Sequence, residues 1–296
     1  MSADRLRARD LNAPFWGVRS WPFQAPEHDG ILDVAALEHR HRIDAYAKRM
    51  APERFFAGLS ALVIWCGMLP VAAPVLEVGV FAPHRAPRAA GVRGRQFAEH
   101  LASVRETSGL RVISPASTWV TLAPTLAPRD LIAVGSMMIT QPRGPGGRDI
   151  GAPLTTLESL QAAVAAGPRP GIATARQALT AIRPGARSRA EVHLWLALVA
   201  AGLPEPLFDV PIHDASGELI GIGDLVFPEL KVVVEYHGDY HRLSPRAWST
   251  DITRRERLRE ADWMPVEVTR SELYPDESAA VGRVARALTA RGFRVR

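Results

Sequence analysis

A single cysteine, Cys66, stands in the 296 residues, and lysine occurs only at Lys48 and Lys231. One thiol excludes an internal disulfide and any zinc site built from a cysteine cluster. Its setting, ALVIWCGML, reads as core packing, and a reducing cytoplasm suits such a chain. The longest apolar run, near Leu59–Val71, is about a dozen residues, too short to cross a bilayer, so no membrane partner is expected. The start, MSADRLRARDLN, has charge without an apolar segment behind it, so no secretory signal is expected. No Gly-Lys-Ser/Thr follows the glycines of TQPRGPGGRDIGAP, and they do not make a phosphate loop. No internal repeat is visible. Nor is the chain short of apolar residues: 47% are hydrophobic and 23% charged. That is a folding composition, not a disordered one.

Basic residues outnumber acidic ones 36 to 31. They are unevenly placed. Residues 51–187 carry 14 basic and 7 acidic residues, whereas residues 188–296 carry 14 and 17. A basic middle suits a phosphate backbone, and an acidic end suits bound cations. A solvated arginine-rich surface accounts for the same charge equally well.

Residues 1–30, rich in Pro and Trp, read as an N-terminal arm. Residues 31–140 read as a mainly helical α+β domain. It has helices over 31–50 and in APERFFAGLSALVIWCGMLP, strands in PVLEVGVFAP and GLRVIS, and a helix capped by Ser114. PRDLIAVGSMMI reads as a further helix, capped near Asp130. Residues 141–185 read as a Gly/Pro-rich linker followed by a helical connector. Residues 186–296 alternate helix, three strands, helix, strand and helix, which predicts an α/β domain with a mixed sheet flanked by helices.

The informative stretch is GDLVFPELKVVVEYHGDYH, residues 223–241. On the strand KVVVEYH, alternation puts Lys231, Val233, Glu235 and His237 on one face. The PEL turn folds the preceding strand back, which can bring Asp224 near Glu235. Two carboxylates forced together at a buried strand end must either share a proton or hold a cation. Oxygen donors suit Mg²⁺ or Mn²⁺, which can activate water and brace a phosphoryl oxygen. Glu191 lies on the buried face of its helix and offers a third carboxylate. The spacing Ser188-x-x-Glu191 is also that of a capping box, and both roles can hold together. Alone, Asp224 would be a turn acid and His237 a structural histidine. The combination carries the reading.

Asp224, ten residues, then Glu235-x-His237 resembles the core of the PD-(D/E)XK nucleases. Residues 186–296 more closely resemble the domains of unknown function grouped with very-short-patch-repair endonucleases, through SRAE, GDLVF, VVEYHGDYH, DITRRERL and Asp262-Trp263. The resemblance implies a restriction-endonuclease-like fold and a DNA endonuclease, a hydrolase using Mg²⁺ or Mn²⁺ held by Asp224 and Glu235. Glu191 and His237 would share the catalytic work, and His241, Asp251 and Arg254 would support it. His237 replaces the family's Lys or Asp, and Asp262 replaces a Gly. The alternative is a nuclease fold without chemistry, acting as a DNA-binding regulator.

Farther upstream, GLSALVIWCGMLP and GLRVISPASTWVTLAP resemble in part the antitoxin-type domain of abortive-infection (type IV toxin–antitoxin) proteins. Ile113 takes the Thr place of that motif and Ser117 the Arg place. The resemblance implies a winged-helix-like region, though no recognition helix is legible between residues 30 and 70. It also implies a toxin–antitoxin partner or a homodimer. The cluster HRAPRAAGVRGR, with Arg85, Arg88, Arg93 and Arg95, is the candidate phosphate-contacting surface, or else a solvated loop.

Overall fold

β-Branched and aromatic residues favour extended chain, and short runs of them build two sheets. The computed structural model describes residues 10–26, 33–144, 148–238 and 245–294, of which 245–252 by backbone alone. The chain divides into two units, Met1–Leu131 with Ala152–Ala181, and Ile132–Gly151 with Ile182–Arg296.

The first unit opens with α1 (Val34–Ala47). Asp33 caps it, accepting from the amides of Ala36 at 2.9 Å and of Leu69 at 2.8 Å. The expected helix in APERFFAGLSALVIWCGMLP is instead a short strand, β1 (Phe55–Phe56), followed by α2 (Gly58–Cys66), with Gly67 left-handed at its end. The two Phe side chains are fully buried, and pairing with neighbouring strands outweighs the helical pattern around them. β2 (Leu76–Phe81), β3 (Arg88–Ala89), β4 (Val92–Phe97), β5 (Val104–Thr107) and β6 (Leu110–Ile113) complete a six-stranded sheet of order β3-β4-β2-β1-β6-β5. The β2–β4 and β1–β6 pairs are parallel and the rest antiparallel, so the sheet is mixed. Of the arginine cluster, Arg88, Arg93 and Arg95 lie on the β3–β4 hairpin and Arg85 precedes it.

α3 (Pro115–Leu122) starts at Ser114, whose hydroxyl accepts from the Ser117 amide as expected. α4 (Pro128–Ile139) begins two residues before Asp130, with Pro128 in the first turn. The stretch expected as a connector holds α5 (Leu157–Ala165) and α6 (Ile172–Leu179), which belong to the first unit; residues 182–185 belong to the second.

The second unit contains α7 (Arg189–Ala200), β7 (Leu207–His213), β8 (Leu219–Phe227), β9 (Val232–His237), α8 (Pro245–Glu260), β10 (Met264–Thr269), α9 (Arg270–Leu273) and α10 (Ser278–Ala290). Its four-stranded sheet has the order β10-β9-β8-β7. β7, β8 and β9 run antiparallel, with β8 and β9 joined through the expected PEL turn. β10 joins β9 in parallel, which requires a crossover, and α8 supplies it. Val226 and Val233 pack with Ile212, Ile220 and Leu258, the last from α8. Asp262 takes the left-handed conformation, φ 63°, where the resemblance placed glycine. Both units are therefore α/β, with mixed sheets flanked by helices. Among the described residues no helix is long and apolar enough to cross a membrane.

Candidate functional site

The β8–β9 register pairs Leu225 with Val234, so the next positions outward are Asp224 and Glu235. Residues opposite one another in an antiparallel pair project to the same face. Asp224 Oδ2 accepts the Tyr236 amide at 2.9 Å. Burial pushes the Asp224 carboxyl above the usual range; that amide and the charges of Arg254 and His237 pull the other way, while Asp209 adds to the rise. Glu235 is 6% exposed. His237 Nε2 lies 4.0 Å from its Oε2.

Arg254, on α8, forms an ion pair with Glu235 Oε1. Its guanidinium also donates to the Ile222 carbonyl at 2.7 Å. Gly221 makes room, since a Cβ there would overlap the Arg254 side chain. The resemblance gave Arg254 a supporting role; its described partners are the Glu235 carboxylate and the Ile222 carbonyl.

Glu191 occupies the first turn of α7. Its amide is accepted by Ser188 Oγ at 3.2 Å, and its Oε2 accepts the Arg187 amide at 2.8 Å. The capping role is real, but it does not neutralise the group. Burial first, then the Asp224 charge, pushes the Glu191 carboxyl up to about 7. Glu191 and Asp224 therefore share an electrostatic site although they come from different elements.

Sequence reading missed the arginines beside this cluster. Asp209, at φ 59° on β7, accepts Arg143 Nη1 at 2.6 Å, Arg187 Nε at 2.9 Å and Arg187 Nη2 at 2.6 Å. Nothing in FDVPIH signals a left-handed aspartate. Arg187, directly before the Ser188 cap, could have been noticed. His241 and the Asp251 side chain lie outside the described residues.

Asp224, Glu235 and Glu191 are oxygen donors of the kind a hard divalent cation takes, and burial first, then the Asp224 charge, raises Glu191. Among the described residues, no set of three His, Cys, Asp or Glu side chains is gathered in a metal-ligating arrangement. Arg254 holds Glu235 by its ion pair.

In the first unit the candidate arginines divide. Arg93 Nη1 and Arg95 Nε lie 3.8 and 3.7 Å from Glu77 Oε1. Glu77 is 4% exposed, and its Oε2 accepts the Leu59 amide at 2.6 Å, at the start of α2. Gly58, φ 52°, leaves the space that this carboxylate fills. Arg85 and Arg88 are exposed and have no carboxylate partner among the described residues.

The molecule so far is a mixed α/β protein with a buried acid cluster in its second unit. Two uncharacterized proteins of Mycobacterium tuberculosis, MT2308 of strain CDC 1551 / Oshkosh and Rv2248 of strain ATCC 25618 / H37Rv, are similar to it. Each is 29% identical over 120 residues, covering 40% of this chain and 44% of the relative. The chain thus spans less than half the length of the curated relatives it matches. No family model and no solved structure matches it.

Proposed function

We propose that this chain is a divalent-metal-dependent DNA endonuclease of the very-short-patch-repair-like type, hydrolysing phosphodiesters at the acid cluster of its second unit. The observation that carries the reading is that the β8–β9 register continues to Asp224 opposite Glu235, with His237 beside Glu235 and a Glu191 raised first by burial and then by the Asp224 charge. Buried carboxylates such as Glu191 and Glu235 cost stability unless a counter-charge joins them, a role that a cation could share with Arg254. The order α7–β7–β8–β9–α8–β10 also suits a restriction-endonuclease-like core.

Asp224 and Glu235 would hold Mg²⁺ or Mn²⁺, with Glu191 beside them. Bound there, a divalent cation supplies positive charge to the scissile phosphate and eases attack by water. Glu191, titrating near 7, can take or return a proton at working pH. His237 orients water from the same strand face. Arg254, once released from Glu235, remains close enough to neutralise charge developing on the phosphate.

One observation favours a second reading. The Arg254–Glu235 ion pair already balances the acid most central to the sheet. A nuclease fold stabilised in this way would serve as a DNA-binding regulator, antitoxin-like, with Arg85, Arg88 and Arg93 on phosphates. Incubating supercoiled, linear and single-stranded DNA with Mg²⁺ or Mn²⁺ separates the two. The endonuclease reading expects cleavage by the wild type and none by Asp224→Ala or Glu235→Ala. DNA retention without cleavage favours the regulator, and cleavage surviving both substitutions overturns the site.

A further inference from the structure

Within the first unit lies a cavity of about 300 Å³, far in sequence from the acid cluster. Its walls include Arg95, Phe97, Leu101, Thr121, Pro124 and Arg169. It carries two guanidiniums and no carboxylate in its lining.

Arg169 is held in place by carbonyls. Its Nη1 donates to Leu101 at 2.7 Å, its Nη2 to Ala163 at 3.0 Å, and its Nε to Gly167 at 3.5 Å. These use three of the five guanidinium N–H groups, which leaves two for a ligand. No carboxylate balances its charge among the described residues, and burial lowers its pKa from the ordinary guanidinium value. Pro168 and Pro170 flank it, and Gly171 packs against Pro124, so the arginine is fixed before any ligand arrives.

Arg95 enters from β4. Its neighbour on β2 is Gly79, over which the Phe55 ring lies. The Phe55 ring also touches Phe97, with centroids 5.7 Å apart. The Arg95 side chain makes no hydrogen bond among the described residues, and its one ion pair, to Glu77, is 3.7 Å long. Phe97, Leu101 and Pro124 give the cavity an apolar wall beside the two charges.

We propose that this cavity binds a small phosphomonoester of mononucleotide size, its phosphate on Arg95 and Arg169 and its aromatic or apolar body against Phe97 and Leu101. A phosphomonoester carries nearly two negative charges near neutral pH, which two guanidiniums match with bidentate geometry. The volume sits at the lower end of small-molecule pockets, roughly 300–1,000 Å³, which suits one nucleotide and not a dinucleotide. The inference stands apart from the acid cluster and needs no metal.

Calorimetric titration of the full chain in the presence of a chelator tests it, with 5′-AMP, adenosine, and short single-stranded DNA bearing a 5′-phosphate or a 5′-hydroxyl. The expected result is binding of 5′-AMP, or of the phosphorylated strand end, at least tenfold tighter than the matching compound without phosphate. Arg169→Gln and Arg95→Gln should each weaken that binding at least tenfold. Arg169 also anchors backbone, so Arg95→Gln, which removes no side-chain hydrogen bond and leaves Arg93 beside Glu77, is the decisive variant, with its urea unfolding measured beside the wild type to confirm that it is folded. Preference for 5′-AMP identifies a free nucleotide, and preference for the phosphorylated strand identifies a DNA end. No binding of either phosphate, equal binding of adenosine, or full binding by Arg95→Gln overturns the proposal.

Discussion

His39 in the first unit and Glu191 in the second are both buried, and burial drives both toward the uncharged form from opposite directions. His39 falls to about 4, through desolvation and then the Arg42 charge. Glu191 rises to about 7. Their surroundings separate a structural role from a site. The His39 ring nitrogens lie 3.2 Å from the Ala73 carbonyl and 2.9 Å from Ser60 Oγ, so a neutral imidazole is satisfied there. Glu191 has a backbone amide for company and then a second acid. The acid of the first unit, Glu77, meets an amide and two arginines instead. A buried charge met by donors pins a fold, whereas an acid raised by burial beside a second acid is a candidate for binding a ligand.

That contrast can be broken most forcefully at Glu77. Glu77→Ala leaves the Leu59 amide without its acceptor and Arg93 and Arg95 without their counter-charge. A loss of about 3 kcal/mol in urea unfolding is expected. Glu191→Gln should act in the opposite sense. Between the ordinary Glu value and about 7, the folded state holds a proton that the unfolded chain has released, so wild-type stability falls as pH rises through that window. At pH 8 the Gln protein should be more stable than wild type by about 2 kcal/mol, and the gap should close below pH 4.5. Equal stabilities at pH 8 would remove the evidence for strained charge.

His39 predicts the reverse slope. Between 6.5 and about 4 the unfolded chain binds the proton and the folded state does not, so stability is lost as pH falls. His39→Gln should flatten that limb by about 1–2 kcal/mol. The smallest effect belongs to the α7 cap. Ser188→Ala should cost about 1 kcal/mol, seen as a lower melting temperature, because one hydroxyl serves one helical amide.

Much of the second unit was legible. VVVE, bounded by PEL and Gly238, marks β9, and alternation places Glu235 and His237 on one face. Ser188-x-x-Glu191 gives both a cap and an acid. What escaped is long-range. Phe55 and Phe56 look helical until β2 and β6 pair with them, and VRGRQF carries no strand pattern without β2 beside it. Arg254 could be placed on its helix, but its ion pair with Glu235 depends on how α8 crosses the sheet and on the space above Gly221. Asp209 needed the backbone itself, since a left-handed aspartate within a strand has no signature in FDVPIH.

The central claim is that Asp224 and Glu235, with Glu191 beside them, take a divalent cation in competition with the Arg254 ion pair. Calorimetric titration with Mn²⁺ at pH 7, in two buffers of different ionisation enthalpy, tests it most directly. Saturable binding that releases protons, as Glu191 gives one up, and that disappears in Asp224→Asn and Glu235→Gln is the predicted result. Heat that is absent, or that persists unchanged in both variants, would contradict it.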